Sequence, residues 1–517
     1  MSPLVRAGQI GSDINPLEVA LQGDALVPAG FNDWIPDLSP VGHPGLLDAV
    51  NCVPLTNSFG ELRNTVAVTD GISDKVLAHT WAQSTDSAYH NFAADRTNIY
   101  RLLSNNTTWQ TVGTGYDTLE WGFVVWGSFV IALSPNQAPQ VLDASLGTNE
   151  MFADLPGSPP TAGTGAVMRD FLVLGQIENL PNRVQWSGYD DITQWEPSFA
   201  TLSDYQDLPA YLGRVQRIVP GDYGLIFTEH GIVRMSLFDT ADANVSFRFD
   251  VLERGIGTPA PRSVCWLGDT VFFYSQAGFY AFDGQNLVPI GSNVVDRWFR
   301  ERVTHVDIRE MQGVVDRSNS LVFWAFRTGS EDNYDSLLVY NFESNRWSHS
   351  DSFDCELLTE FVSSNLSLED LDTFFPDGIN AGSAESFDSA VYAGGELDLT
   401  VFDTSNRMAT LSGPPLPARF VTGEKSLGGD LMFCENIRFL VDAGSDSTSI
   451  DGYVVHRDDM LSADHTTEGP FSVNANGDAS CLVSSRFQRY RVDVSGGFRH
   501  AYGIIPKVRA AGDIGAS

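Results

Sequence analysis

Asp190 with Asp191, Glu369 with Asp370 and Asp372, and Asp458 with Asp459 are the carboxylate groupings whose spacing could do acid–base chemistry. Glycosidic cleavage needs two carboxyl groups flanking one sugar bond. With 66 acidic residues in a chain of 517, however, such neighbours are expected from composition, and they read as solvated turns. The nine histidines are dispersed: the closest pair, His456 and His465, are nine apart, which gives no local metal-ligand spacing. Cys52, Cys265, Cys355, Cys434 and Cys481 are odd in number, widely scattered and without a CxxC pair. They read as buried free thiols rather than a disulfide framework or a zinc ribbon. HExxH, GxSxG, Walker, EF-hand and Rossmann patterns are absent, since "GTGAVM" and "GIGTPA" lack the third glycine and the flanking helix. The Ser-x-Asp-x-Gly-x-x-Trp box of sialidase-type propellers is absent too. The expectation is a protein that is not an enzyme, with no catalytic, metal-ligating or cofactor-binding residues and no cofactor. Residues for a ligand or for DNA cannot be assigned.

The stretch "FLVLGQIENLPNRVQWSGYDDITQW", residues 171 to 195, poses the choice between site and scaffold most sharply. Its Arg183, Asp190, Asp191, Trp186 and Trp195 could line a ligand pocket. They could equally be the furniture of one structural repeat. The elements that would have to position them decide the matter. Glycine (47) and proline (25) are plentiful and charged residues make up 19%, a turn-rich, helix-poor composition that points to an all-β fold. Seven segments share one form, two apolar alternating strands joined by a tight turn, anchored near Trp109, Val141, Trp186, Val233, Phe282, Trp347 and Phe402. Successive anchors lie 32, 45, 47, 49, 65 and 55 residues apart, mostly close to the roughly 40–50 residues of a four-stranded propeller blade. A blade cannot bury both faces of its sheet alone, so its aromatics pack against neighbouring blades. This predicts a β-propeller of six or seven blades over 61–415, with Trp186 buried within or between blades.

Around this core, 1–60 is Gly/Pro-punctuated ("PVGHPGLLDAVNCVP") and reads as an extended docking arm packed on a surface. Strands of different rhythm beyond about 415, "CENIRFLVDAG", "SIDGYVVHRDD" and "FQRYRVDVSGG", predict a C-terminal β-sandwich-like platform domain over 416–517. The apolar stripe Val294, Val295, Trp298, Phe299 and Val303 predicts one short helix between blades. No apolar run is long enough for a membrane span, and the N-terminus lacks the pattern of a secretion signal, so assembly in a cytoplasm is expected.

Lys plus Arg number 31 against 66 Asp plus Glu, a net charge of −35. Such a surface repels a polyanion, which excludes ordinary nucleic-acid binding through phosphate neutralisation. Repulsion suits one role with DNA: a conduit through which it slides without sticking. High solubility is the simpler meaning of the same charge.

"NRVQWSGYDDITQWEPSFATLSDYQDLP", "GDYGLIFTEHGIVRM", "VFFYSQAGFYAFDGQNLVPIGSNVVDRWF" and "LLVYNFESNRWS" together resemble the tail nozzle or hub proteins (tail tubular, head-to-tail completion proteins) of short-tailed bacteriophages. The opening "DLSPVGHPGLLDAVNCVP" and the closing "FRHAYGIIPKVRAAGD" are similar to the same family. The resemblance implies a structural virion protein of the viral tail. It implies a homo-oligomeric ring, usually a hexamer, below the portal and adaptor. Such a ring conducts DNA during ejection without specific binding and holds tail fibres or a plug or needle protein. The 65-residue interval before Trp347 and the acidic "SSNLSLEDLDTFFPDG" are places where an insertion would carry fibre or plug contacts. The competing expectation is a carbohydrate-binding or carbohydrate-cleaving propeller in receptor recognition, with Trp195 and Asp191 as its candidates. A third is a monomeric intracellular propeller serving as an interaction hub.

Overall fold

The computed structural model describes residues 29–147, 149–238, 246–329, 332–362, 397–427, 430–444, 448–474 and 476–510. Seven antiparallel four-strand units form a propeller. Blade 1 runs from Ala78–Gln83 to Trp109–Thr114, blade 2 from Gly122–Trp126 to Ala153–Asp154, and blade 3 from Ala162–Met168 to Asp204–Asp207. Blade 4 spans Val215–Val219 to Ser246–Arg254, blade 5 Cys265–Leu267 to Leu287–Pro289, and blade 6 Gln312–Asp316 to Arg346–Ser350. Blade 7 takes three strands from Leu357–Val362, Leu397–Phe402 and Arg407–Thr410, and its outer strand from far earlier in the chain, Val66–Gly71. Each of the seven anchors read from the sequence falls in a different blade.

The ring follows from how the strands are buried. Middle strands such as Thr270–Ser275 and Leu321–Phe326 are buried at every position, so both sheet faces are covered. The outer strand of blade 3, Asp204–Asp207, is exposed throughout. Side chains alternate between faces. In Phe129–Ser134 of blade 2, Val130 and Ala132 pack with Phe92 and Ile99 of blade 1, while Ile131 and Leu133 pack with Leu172 and Leu174 of blade 3. Phe171 and Trp186 of blade 3 then meet Ile226 and Val233 of blade 4, and Phe227 and Ile232 of blade 4 meet Phe273 and Phe282 of blade 5. Phe272 and Tyr274 of blade 5 pack with Trp324 and Tyr340 of blade 6, Phe323 and Val339 of blade 6 with Leu358 and Val401 of blade 7, and Phe402 and Met408 of blade 7 with Tyr100 and Leu102 of blade 1. One apolar core lies between every adjacent pair, each large side chain contributing roughly 1.5–3 kcal/mol of burial.

Hairpin turns use the chemistry the sequence suggested. Asp283 Oδ1 accepts from the backbone N–H groups of Gln285 and Asn286, and Gly284 takes φ +85°. In "YNFESNRW", Asn341 Oδ1 accepts from Glu343 and Ser344 N–H, and Asn345 takes φ +57°. The expected helix forms at Asp296–Arg302, carrying Trp298 and Phe299 of the apolar stripe, and a second short helix, His305–Ile308, follows it with Thr304 as its cap. Both lie within the long interval before Trp347.

The remaining strands form two sheets whose composition differs from the expectation. One joins Cys52–Pro54 and Phe59–Glu61 to Phe498–Ala510, Met432–Ala443 and Asp478–Ser485, with Ala29–Gly30 pairing alongside. The other joins Leu46–Val50 to Ala418–Thr422, Phe487–Ser495, Ser449–Arg457 and Thr466–Ser472, and continues directly into blade 6 through Val50 and His349. Residues 29–61, expected as an arm packed on a surface, are thus integral to the platform. The platform in turn is not separate from the propeller. Its strands alternate, as in Asp478–Ser485, with one face buried and the other toward solvent.

Arg346, at the start of the outer strand of blade 6, ties these parts together. Its Nη1 donates to the carbonyls of Leu55 and Ser58 (both 2.8 Å), its Nη2 to Phe31 (2.7 Å) and Asn32 (3.3 Å), and its Nε to Asp33 Oδ1 at 3.1 Å. The guanidinium also stacks over Phe59, 4.4 Å from the ring centroid.

Candidate functional site

The residues that made 171–195 look like a site are structural. Trp186 is 3% exposed, its indole N–H donating to Leu202 O at 2.9 Å and its ring meeting Phe247 edge-on at 5.1 Å. Trp195 is 2% exposed and donates to Ile192 O, so it offers no platform to a sugar. Asp191 Oδ1 accepts from Thr193 N–H (2.9 Å) and Oγ1 (2.6 Å), and those hydrogen bonds hold its carboxyl below the usual range. Arg183 is forked onto Asp207 at 2.6 and 3.0 Å and lies over Tyr205. Asp458 and Asp459 accept from the backbone N–H groups of Arg486 and Leu461. Glu369, Asp370 and Asp372 lie outside the described residues, as does the whole of "SSNLSLEDLDTFFPDG".

All five cysteines are buried and unbridged, although Cys434 and Cys481 bring their sulfurs within 3.2 Å. Burial pushes the Cys265 and Cys355 thiols well up. Among the described residues, no cluster of His, Cys, Asp or Glu is arranged to hold a metal ion. No described helix is long and apolar enough to cross a membrane.

What sequence reasoning missed is the space on the propeller axis. An open cavity of about 360 Å³ is lined by residues on or beside the first strands of blades 1, 2, 4, 5, 6 and 7. Gln312 stitches blade 6 to blade 7 there, its side-chain amide donating to Leu358 O and accepting from Leu358 N–H. Arg262, ahead of blade 5, reaches across the axis to donate to Leu77 O, beside blade 1, at 2.7 Å. Arg317 faces Glu360 at 3.7 Å. His79 shares a hydrogen bond with Thr359 Oγ1, and burial lowers its pKa to about 3, so the imidazole is neutral at physiological pH. Trp81 and Trp266, both half-buried, supply aromatic wall.

Arg217 is placed here by a bulge: the pairing of Val215–Val219 with its neighbour shifts register between Val215 and Arg217. A bulge re-aims the following side chain. Its guanidinium sits 5.9 Å from the Trp266 ring, and its Nε is buried without a hydrogen-bond partner. A second, larger groove of about 1400 Å³ runs between the platform and blades 6 and 7, from Glu61 and His500 to Asp316 and Leu397, where the described residues resume.

No protein-family model matches the chain, and no curated protein matches its sequence. Solved structures similar to it include the β-propeller domain of Cps50 (Swd1) from Myceliophteria thermophila, at 13% identity and a TM-score of 0.34, covering 58% of this chain and 96% of that one. The WD40 domain of Toxoplasma gondii coronin is similar at 9% identity and a TM-score of 0.35, covering 60% and 81%. YCF48, in a structure bound to D1 peptide, is similar at 10% and 0.34, covering 56% and 86%. The fold class rests on the sheet order and the ring of cores, independently of these likenesses.

Proposed function

We propose that this chain is a structural protein of a short-tailed bacteriophage tail, a nozzle or hub. Copies of it assemble into a ring, as a hexamer, below the portal and adaptor. The ring conducts DNA during ejection and holds tail fibres or a plug. Segments resembling that family run through the whole chain in order. The observation that carries the reading is the disposition of charge. Net charge is −35, and most of the arginines are already engaged by carboxylates. Arg327 faces Asp307, Glu310 and Asp332, Arg457 and Arg489 share Glu424, and Arg183, Arg438 and Arg407 each grip one aspartate. Few cations are left to hold phosphates, while duplex DNA presents a charge about every 1.7 Å of its axis. A wall of carboxylates and neutral groups lets such a polymer slide.

Electron microscopy and native mass measurement of the purified full chain test this. A closed ring with a central opening, or incorporation into tails, is the expected outcome. A monomer at all concentrations that binds host surface glycan would overturn it in favour of a receptor-recognition propeller.

A further inference from the structure

Three arginines and one glutamate are the charged groups lining the axial cavity, in a molecule whose acids outnumber its bases two to one. Glu360 is taken by Arg317, and Glu120, at the adjoining mouth of the axis, faces Arg309 at 3.9 Å. The other acids at that mouth are likewise opposed: Glu310 and Asp332 meet Arg327, and Glu356 accepts from Val76 N–H. Arg262 uses one nitrogen on Leu77 O. Arg217 makes no ion pair and its Nε is buried without a hydrogen-bond partner; burial together with repulsion from Arg262 lowers its pKa, against a weaker opposing pull from Glu120.

A guanidinium partly withdrawn from water beside a second one is costly unless an anion completes it. The planar fork of arginine matches a carboxylate in geometry. Beside it stands the half-buried indole of Trp266, with Trp81 on the same cavity wall, a surface suited to a flat apolar body. The volume, about 360 Å³, is at the lower end for small-molecule sites.

We propose that the axial cavity is a binding site for a small organic acid, its carboxylate on Arg217 and Arg262 and its apolar part against Trp266. This is independent of the conduit reading, since it concerns one propeller rather than the lumen of a ring.

The test titrates the full-length protein with benzoate, inorganic phosphate and benzyl alcohol at constant ionic strength, read by calorimetry and by tryptophan fluorescence. Benzoate should bind at least tenfold more tightly than phosphate, and the neutral alcohol should not bind measurably. Arg217→Gln should weaken benzoate at least tenfold, with Arg217→Lys falling between. A second readout guards against a variant that merely misfolds: relieved of the repulsion, Arg217→Gln should melt no lower than wild type in the absence of ligand. Phosphate binding as tightly as benzoate, no binding of either anion, or unchanged benzoate affinity in Arg217→Gln would each overturn the proposal. So would a large fall in melting temperature for that variant, which would make Arg217 a structural residue.

Discussion

Replacing Arg346 by methionine should loosen the joint between platform and propeller, and the structure sets the magnitude. The substitution keeps the aliphatic stem but removes all five hydrogen bonds described above. Asp33 is half exposed and Asn32 is exposed, so their freed acceptors recover water at little cost. The carbonyl of Phe31 belongs to a buried residue and that of Leu55 to a half-buried one, while the Ser58 carbonyl keeps the Leu55 N–H at 3.0 Å. Each left unsatisfied costs about 1–3 kcal/mol, roughly 2–6 in sum. Part of this is offset because a desolvated guanidinium, its pKa lowered by burial, is no longer present. The net expectation is about 2–4 kcal/mol. Arg346→Lys should lie between, since an ammonium has three donors and cannot span four carbonyls and a carboxylate. Urea unfolding followed by tryptophan fluorescence reads the loss in the first transition, because Trp34 and Trp298 share this core. Limited proteolysis should show cleavage within 31–61 appearing in the variant before the blades are cut. If Arg346→Met stays within about 0.5 kcal/mol of wild type, strand pairing and apolar packing alone hold the segment and the bookkeeping of its carbonyls is wrong.

Trp186→Ala should cost about 3–5 kcal/mol, the range for a large core aromatic, and a retained melting temperature would place the indole outside the core. Glu424, 2% exposed and clamped by Arg457 and Arg489, should on conversion to Gln destabilise the platform by about 3–5 kcal/mol, seen as an earlier unfolding transition. Its carboxyl is held below the usual range overall, chiefly by Arg457 and Arg489, although burial opposes them. The clamp's stabilisation is therefore present above the unfolded value of about 4.3 and disappears as pH falls through the lower folded one, so the wild-type-to-variant gap should narrow in acid. Asp296 has the opposite sign: burial raises it to about 6, so the folded state holds its proton longer and stability declines as pH rises from about 4 to 6. Asp296→Asn should flatten that part of a melting-temperature-against-pH profile, and an unchanged slope would show that the group titrates normally.

The blades were legible because stacking demands runs such as "TVFFYS" and "LVFWAF" that are apolar on both faces, separated by Asp-Gly and Asn turns. Their spacing looked irregular because the anchors fall on different strands. Trp109 and Trp347 lie on the fourth of their blades, Val141, Trp186, Val233 and Phe282 on the third, and Phe402 on the second. The closing strand Val66–Gly71 was not legible: its partner Arg407–Thr410 is remote in sequence, and pairing at that distance leaves no local pattern. The same holds for Leu46–Val50, too short and too punctuated to announce a strand until Ala418–Thr422 lies beside it. Arg217 and Arg262 escaped notice because an arginine in "VQRIVP" or "APRSVCW" looks like any other. Only ring closure brings the two to one axis, though a cation inside the inner strand Val215–Val219 was a signal in plain view.

The nesting of the chain has a consequence for how it is made. Both platform sheets interleave strands from before and after the propeller, so the whole propeller is an insertion between two halves of one sandwich. At about 5–20 residues per second, the segments around Leu46–Val50 and Cys52–Pro54 wait on the order of tens of seconds on the ribosome before their partners emerge. Blades 1 to 6 can accrete in order during that time, but blade 7 and the platform must complete together, after Val66–Gly71 finds its place. Strands made after the propeller thus fasten strands made before it, and neither end of the ring can peel away without opening the platform that clasps both. Unfolding then has no frayed blade from which to start.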